Sequence, residues 1–119
     1  MRTSTFALAL IGCLFSNAAF AHAHLRAETP AANASVRAPT ALTLTFSAGL
    51  EPGLSGVVLE NSHGASVKTG DVSLDSANDK TLVVSVPAKL MPGDYTVEWH
   101  ALSKDGHATR GTYQFKVLP

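Results

Sequence analysis

From residue 42 to residue 117 the chain is written in short runs that alternate apolar and polar side chains, and no stretch keeps a helical period. Successive side chains of a strand point to opposite faces, so such runs read as strands with one buried side. The two strongest lie near the end: Tyr95, Val97, Trp99 and Ala101 share one face with Thr96, Glu98 and His100 between them, and Tyr113, Phe115 and Val117 alternate with Thr112, Gln114 and Lys116. Leu42, Leu44 and Phe46 form a third run, Leu82, Val84 and Val86 a fourth, and Val57 to Glu60 a shorter fifth. Turn-forming residues punctuate them at Thr29-Pro30, Glu51-Pro52-Gly53, Asn61 to Gly64, Asn78-Asp79, Pro92-Gly93 and Asp105-Gly106. About seven short strands at this spacing predict an all-β fold, a seven-stranded Greek-key sandwich or barrel of immunoglobulin-like type. Trp99 is expected to anchor its core.

With 119 residues there is room for one domain, and an apolar content of 45% predicts a folded one. Nine Lys and Arg balance nine Asp and Glu with no basic stripe, which argues against nucleic acid and anionic membrane surfaces as partners. No internal repeat or dividing linker is visible.

The first residues read as an export leader. Arg2 is followed by an apolar run from Phe6 to Phe15 and by Ala19-Phe20-Ala21, a small-x-small cleavage site. Residues 1–21 are therefore expected to be removed, leaving residues 22–119 as the mature domain with His22 at its start. Ala21-His22-Ala23 has the same form, so cleavage after Ala23 would expose His24 instead; Leu10-Ile11-Gly12-Cys13 also resembles a permissive lipoprotein box. No later segment approaches the roughly 20 apolar residues of a membrane span. Cys13 is the only cysteine. Once the leader is lost, no disulfide and no thiolate ligand remain, which excludes a blue-copper site and the cysteine-based zinc sites.

Five histidines in so short a chain invite a metal reading. His63 sits in a polar turn and His100 on the polar face opposite Trp99, so both are expected to be exposed surface residues. Asp105-Gly106-His107 differs, because it lies in the connection between the two strongest strands. By itself it also reads as an ordinary Asp-Gly turn beside a hydrogen-bonded Asp–His pair. The expected terminus adds to it: a leading histidine offers both its α-amino nitrogen and its imidazole Nδ1 to one ion. With His107 this makes three nitrogens in a T, a histidine brace, to which Asp105 adds an oxygen or orders a water. Tetragonal nitrogen and oxygen coordination favours Cu(II). The candidate metal ligands are thus His22, Asp105 and His107, with His24 as a neighbour on the same face of an extended segment.

The start His22-Ala-His-Leu-Arg-Ala-Glu-Thr-Pro30, the run Gly93-Asp-Tyr-Thr-Val-Glu-Trp99, Ser103-Lys-Asp-Gly-His107, Gly111 and Phe115-Lys-Val117 together resemble the CopC family of periplasmic copper-resistance proteins over nearly the whole mature chain. The resemblance implies a seven-stranded Greek-key barrel or sandwich, Cu(II) bound by the terminal His, the Asp and the second His, and a periplasmic location. His22 stands eight residues before Pro30, the register of the family's leading histidine. It also implies an inner-membrane CopD-like protein as partner. The Met-rich Cu(I) site of some members does not carry over, since only Met91 remains after the leader. The expected function is a monomeric copper(II) carrier or buffer in copper homeostasis and resistance, not an enzyme. The alternatives are a histidine-brace copper monooxygenase, for which no aromatic glycan platform is evident, and a metal-free interaction module.

Overall fold

A computed structural model describes residues 23–119. His22 and the leader expected over residues 1–21 lie outside the described residues. Among the described residues the elements are all strands apart from one 3-10 turn at Pro52–Leu54: β1 (Leu25–Thr29), β2 (Ser35–Val36), β3 (Ala41–Phe46), β4 (Gly56–Glu60), β5 (Ser66–Val67), β6 (Val72–Leu74), β7 (Thr81–Ser85), β8 (Gly93–Leu102) and β9 (Ala108–Val117). They form a four-stranded sheet in the order β1-β3-β7-β6 and a five-stranded sheet in the order β2-β9-β8-β4-β5. Every pairing is antiparallel except β2 with β9. The chain passes from one sheet to the other five times, between β1 and β2, β2 and β3, β3 and β4, β5 and β6, and β7 and β8. Such crossings place non-consecutive strands side by side, as in a Greek-key sandwich.

The all-β, two-sheet expectation holds. The strand number differs, with nine among the described residues where about seven were expected. The additional ones, β2 and β5, are two-residue pairings at the outer edges of the five-stranded sheet. Two residues cannot display an alternating period, so nothing in their sequence announces them.

The alternation read from the sequence is the alternation of burial. Leu42, Leu44 and Phe46 of β3, Leu82 and Val84 of β7, Tyr95, Val97 and Ala101 of β8, and Tyr113, Phe115 and Val117 of β9 are buried between the sheets. Burying a Val, Leu or Phe side chain contributes about 1.5–3 kcal/mol each, and with no disulfide in this region the two-sheet core is what holds the domain. Tyr95 stacks on Phe115 with ring centroids 5.6 Å apart. Trp99 departs from expectation in degree: it is only half-buried, packing edge-on to Phe46 at 5.1 Å from the rim of the core. Gly111, its cross-strand partner, makes room for it, since a Cβ there would lie 2.6 Å from Trp99 Cζ2.

Two features of this frame position the Asp-Gly-His segment. β8 and β9 pair without a break from Gly93↔Val117 to Leu102↔Ala108, so residues 103–107 are the tight end of a long hairpin. The loop is tied to the β3–β4 connection by a bridge between Leu50 and Ser103 and by the Lys104 N–H, which donates to the Gly49 carbonyl (2.9 Å).

Candidate metal centre

The hairpin end that carries Asp105 and His107 is built on one buried hydroxyl. Ser103 continues the inward-facing series of β8 and is only 1% exposed. Its hydroxyl donates to Asp105 Oδ1 and accepts the His107 N–H (3.2 Å). The Ser103 N–H donates to the His107 carbonyl (2.9 Å) and the Gly106 N–H to the Ser103 carbonyl (2.9 Å), which closes the turn. Gly106 takes φ +92°, a conformation that L side chains rarely adopt, with open space where a Cβ would stand. The glycine is therefore required for its backbone and not for packing.

Asp105 and His107 meet. Asp105 Oδ1 lies 3.2 Å from His107 Nδ1, with the His107 and Asp105 side chains 48% and 42% exposed. The Ser103 hydroxyl holds the Asp105 carboxyl below the usual carboxylate range, against a smaller opposing effect of desolvation and with further help from His107. An ionised, half-exposed carboxylate beside an imidazole is a donor pair suited to a divalent cation. Outside the pair, Lys104 Nζ bonds Asp79 Oδ2 at 2.5 Å and links this loop to the turn before β7. Both partners are exposed, so the link orients the loop more than it stabilises the fold.

The beginning of the described chain comes to the same end of the molecule. Ala23 is fully buried, and its carbonyl accepts a hydrogen bond from Thr109 Oγ1 at 2.8 Å. Thr109 stands on β9, two residues beyond His107. His24 is exposed, and its backbone is bonded in both directions by Ser47: its N–H to Ser47 Oγ (2.9 Å) and its carbonyl to the Ser47 N–H (2.9 Å). His22, the third expected ligand, lies outside the described residues. Among the described residues no three His, Cys, Asp or Glu side chains gather as a metal site.

The other histidines stand apart, as expected. His63 is exposed in the turn after β4, where Asn61 Oδ1 accepts both its N–H (2.9 Å) and that of Ala65 (3.0 Å). His100 is exposed on the outer face of β8, and its imidazole lies over Gly56. A shallow groove of about 390 Å³ on that outer face, lined by Glu98, His100 and Arg110 among others, includes neither Asp105 nor His107. Sequence reading found the Asp–His pair but not Ser103, Ser47 or Thr109. A serine or threonine at a strand end reads as a turn residue, and only the inward position of Ser103, in step with Val97 and Ala101, hinted at more.

Fold and hairpin together define a two-sheet β-sandwich with an Asp-Gly-His loop beside the start of its first strand. The chain belongs to the CopC family: the CopC domain model matches residues 25–118. Protein YobA of Escherichia coli K12 is 42% identical over 118 residues, covering 98% of this chain and 95% of that protein. The crystal structure of CopC from Methylosinus trichosporium OB3b superposes with a TM-score of 0.77 at 32% identity, covering 82% of this chain and 95% of that one. That of PcoC, a methionine-rich copper resistance protein from Escherichia coli, gives 0.75 at 31% identity, covering 82% and 100%.

Proposed function

We propose that the processed chain is a copper(II) carrier or buffer whose metal is held by the α-amino nitrogen and Nδ1 of a terminal His22, by His107 and by Asp105. The observation that supports it most is the bond from Thr109 Oγ1 to the Ala23 carbonyl (2.8 Å). Ala23 is the residue that follows the expected terminus, and its carbonyl is fastened to the strand two residues beyond His107. The family relationship supports copper as the cargo, since its characterised members include proteins named for copper resistance. In this reading residues 1–21 are the export leader, residues 22–119 the working domain, and the periplasm the place of work. Among the described residues no helix is long and apolar enough to cross a membrane. An inner-membrane CopD-like protein is the proposed recipient, and the chain performs no catalysis of its own.

The test is processing itself. A version with one extra residue before His22 has a peptide bond where the brace needs a free amine, and it is expected to lose most of its Cu(II) affinity, tenfold or more by competitive titration. An extended protein with the affinity and spectrum of the processed one rejects the brace. Affinity is also expected to fall on acidification, because protons compete with copper for the amine and imidazole nitrogens.

A further inference from the structure

Chain ends are ordinarily loose unless something ties them down. Here Ala23 is fully buried and His24 is bonded through both its backbone groups, although strand β1 does not begin until Leu25. The ties come from opposite sheets. Thr109 lies on β9 of the five-stranded sheet, and Ser47 follows β3 of the four-stranded one. Ala23 and His24 thus span the gap between the sheets at the end where Asp105 and His107 stand.

The clamp is only partly sheet pairing: the bond from the Ser47 N–H to the His24 carbonyl prolongs the β1–β3 ladder, whereas those made by the Ser47 and Thr109 hydroxyls lie outside it. The β1–β3 ladder begins at Leu25↔Phe46 and runs to Thr29↔Thr43. Upstream of that pair, two side-chain hydroxyls fix the backbone of residues whose one remaining covalent neighbour is residue 22. A chelate that joins a chain terminus to a distant loop must order that terminus every time metal binds, at an entropic cost that prior fixing removes.

We propose that Thr109 and Ser47 are positioning residues for the metal site: their hydroxyls hold the leading segment so that the terminal chelate meets His107 without a search. The inference rests on the brace reading and goes beyond it, because a brace on a loosely held terminus satisfies that reading equally well.

The experiment uses the processed chain beginning at His22, with Cu(II) alone as probe, competitive titration for affinity and electron paramagnetic resonance for ligand geometry. Thr109→Val keeps the shape of the side chain and removes the hydroxyl. It is expected to weaken Cu(II) binding roughly five- to tenfold, the net worth of about one hydrogen bond, and to broaden or double the copper signal, while Thr109→Ser restores both. Ser47→Ala, which retains the backbone pairing, is expected to act in the same direction and stands in if Thr109→Val does not fold. Thr81→Val is the control: it breaks the bond between Thr45 and Thr81 (2.9 Å) inside the four-stranded sheet and is expected to lower stability while leaving affinity and signal as they were. A native affinity and signal in both Thr109→Val and Ser47→Ala overturns the proposal, as does a control that changes copper binding as much as they do. Failure of the brace is distinct, since it appears in the unsubstituted protein as indifference to an added N-terminal residue.

Discussion

Ser103 sets the state of Asp105 by donating to the oxygen that also faces His107 Nδ1. Asp and His two apart in a turn were legible in the sequence as a candidate pair. The hydroxyl that fixes them was not, because its burial depends on β8 running inward through residue 103. Ser103→Ala should free the carboxylate and leave the His107 N–H one acceptor poorer. The fold is expected to lose about 1 kcal/mol for the hydroxyl's bonds to the backbone. The Asp105 effect carries a definite sign. Its carboxyl is held below the usual range in the folded protein, so the corresponding stabilisation is present above the unfolded pKa of about 3.9 and is lost as pH falls through the lower folded value. The carboxyl of Asp105 in Ser103→Ala, followed by NMR, is accordingly expected to titrate closer to the ordinary value. An unchanged titration excludes Ser103 as its main cause.

Strands were legible in proportion to their length and to the size of their apolar residues. β3, β7 and the centres of β8 and β9 announce themselves by alternation. β9 begins earlier than its pattern suggests, because Ala108, Thr109, Arg110 and Gly111 carry no large apolar side chain although all four pair with β8. Gly111 is the informative one among them. Its missing side chain is the space into which Trp99 leans, with Cζ2, Cε2 and Nε1 at 2.6, 2.8 and 3.0 Å from a Cβ placed there. The indole is also held by Phe46 across the sandwich, so it has little freedom to yield. Gly111→Ala is expected to destabilise by about 1–3 kcal/mol, the usual range for overpacking, and to shift the emission of Trp99, the chain's one tryptophan. Thermal unfolding read against that emission checks both. A variant as stable as the parent with unaltered fluorescence shows that the ring moves aside freely.

At the scale of the whole molecule, the pairing of β3 with β7 and β4 with β8 was beyond the sequence, because local alternation says which face is buried and not which strand lies alongside. That topology decides where the candidate metal donors fall. Asp105 and His107 stand at one end of the β8–β9 hairpin, whereas Met91, 71% exposed, precedes β8 at the other end. Ten residues of β8 separate the two ends, about 33 Å at the rise of an antiparallel strand. The thioether is therefore out of reach of the candidate centre. Cu(I) prefers soft sulfur donors, while an amine, two imidazoles and a carboxylate suit Cu(II). Reduction is expected to release the metal, with at least a hundredfold more copper passing to a competing Cu(I) chelator under anaerobic ascorbate than passes from the oxidised protein to a Cu(II) chelator of matched strength. Met91→Leu is expected to change neither result. Retention of copper on reduction contradicts the assignment of a nitrogen and oxygen site specific for the oxidised ion. Retention that disappears in Met91→Leu places the soft donor at the opposite end of the sandwich and makes the molecule a carrier with two separate copper sites.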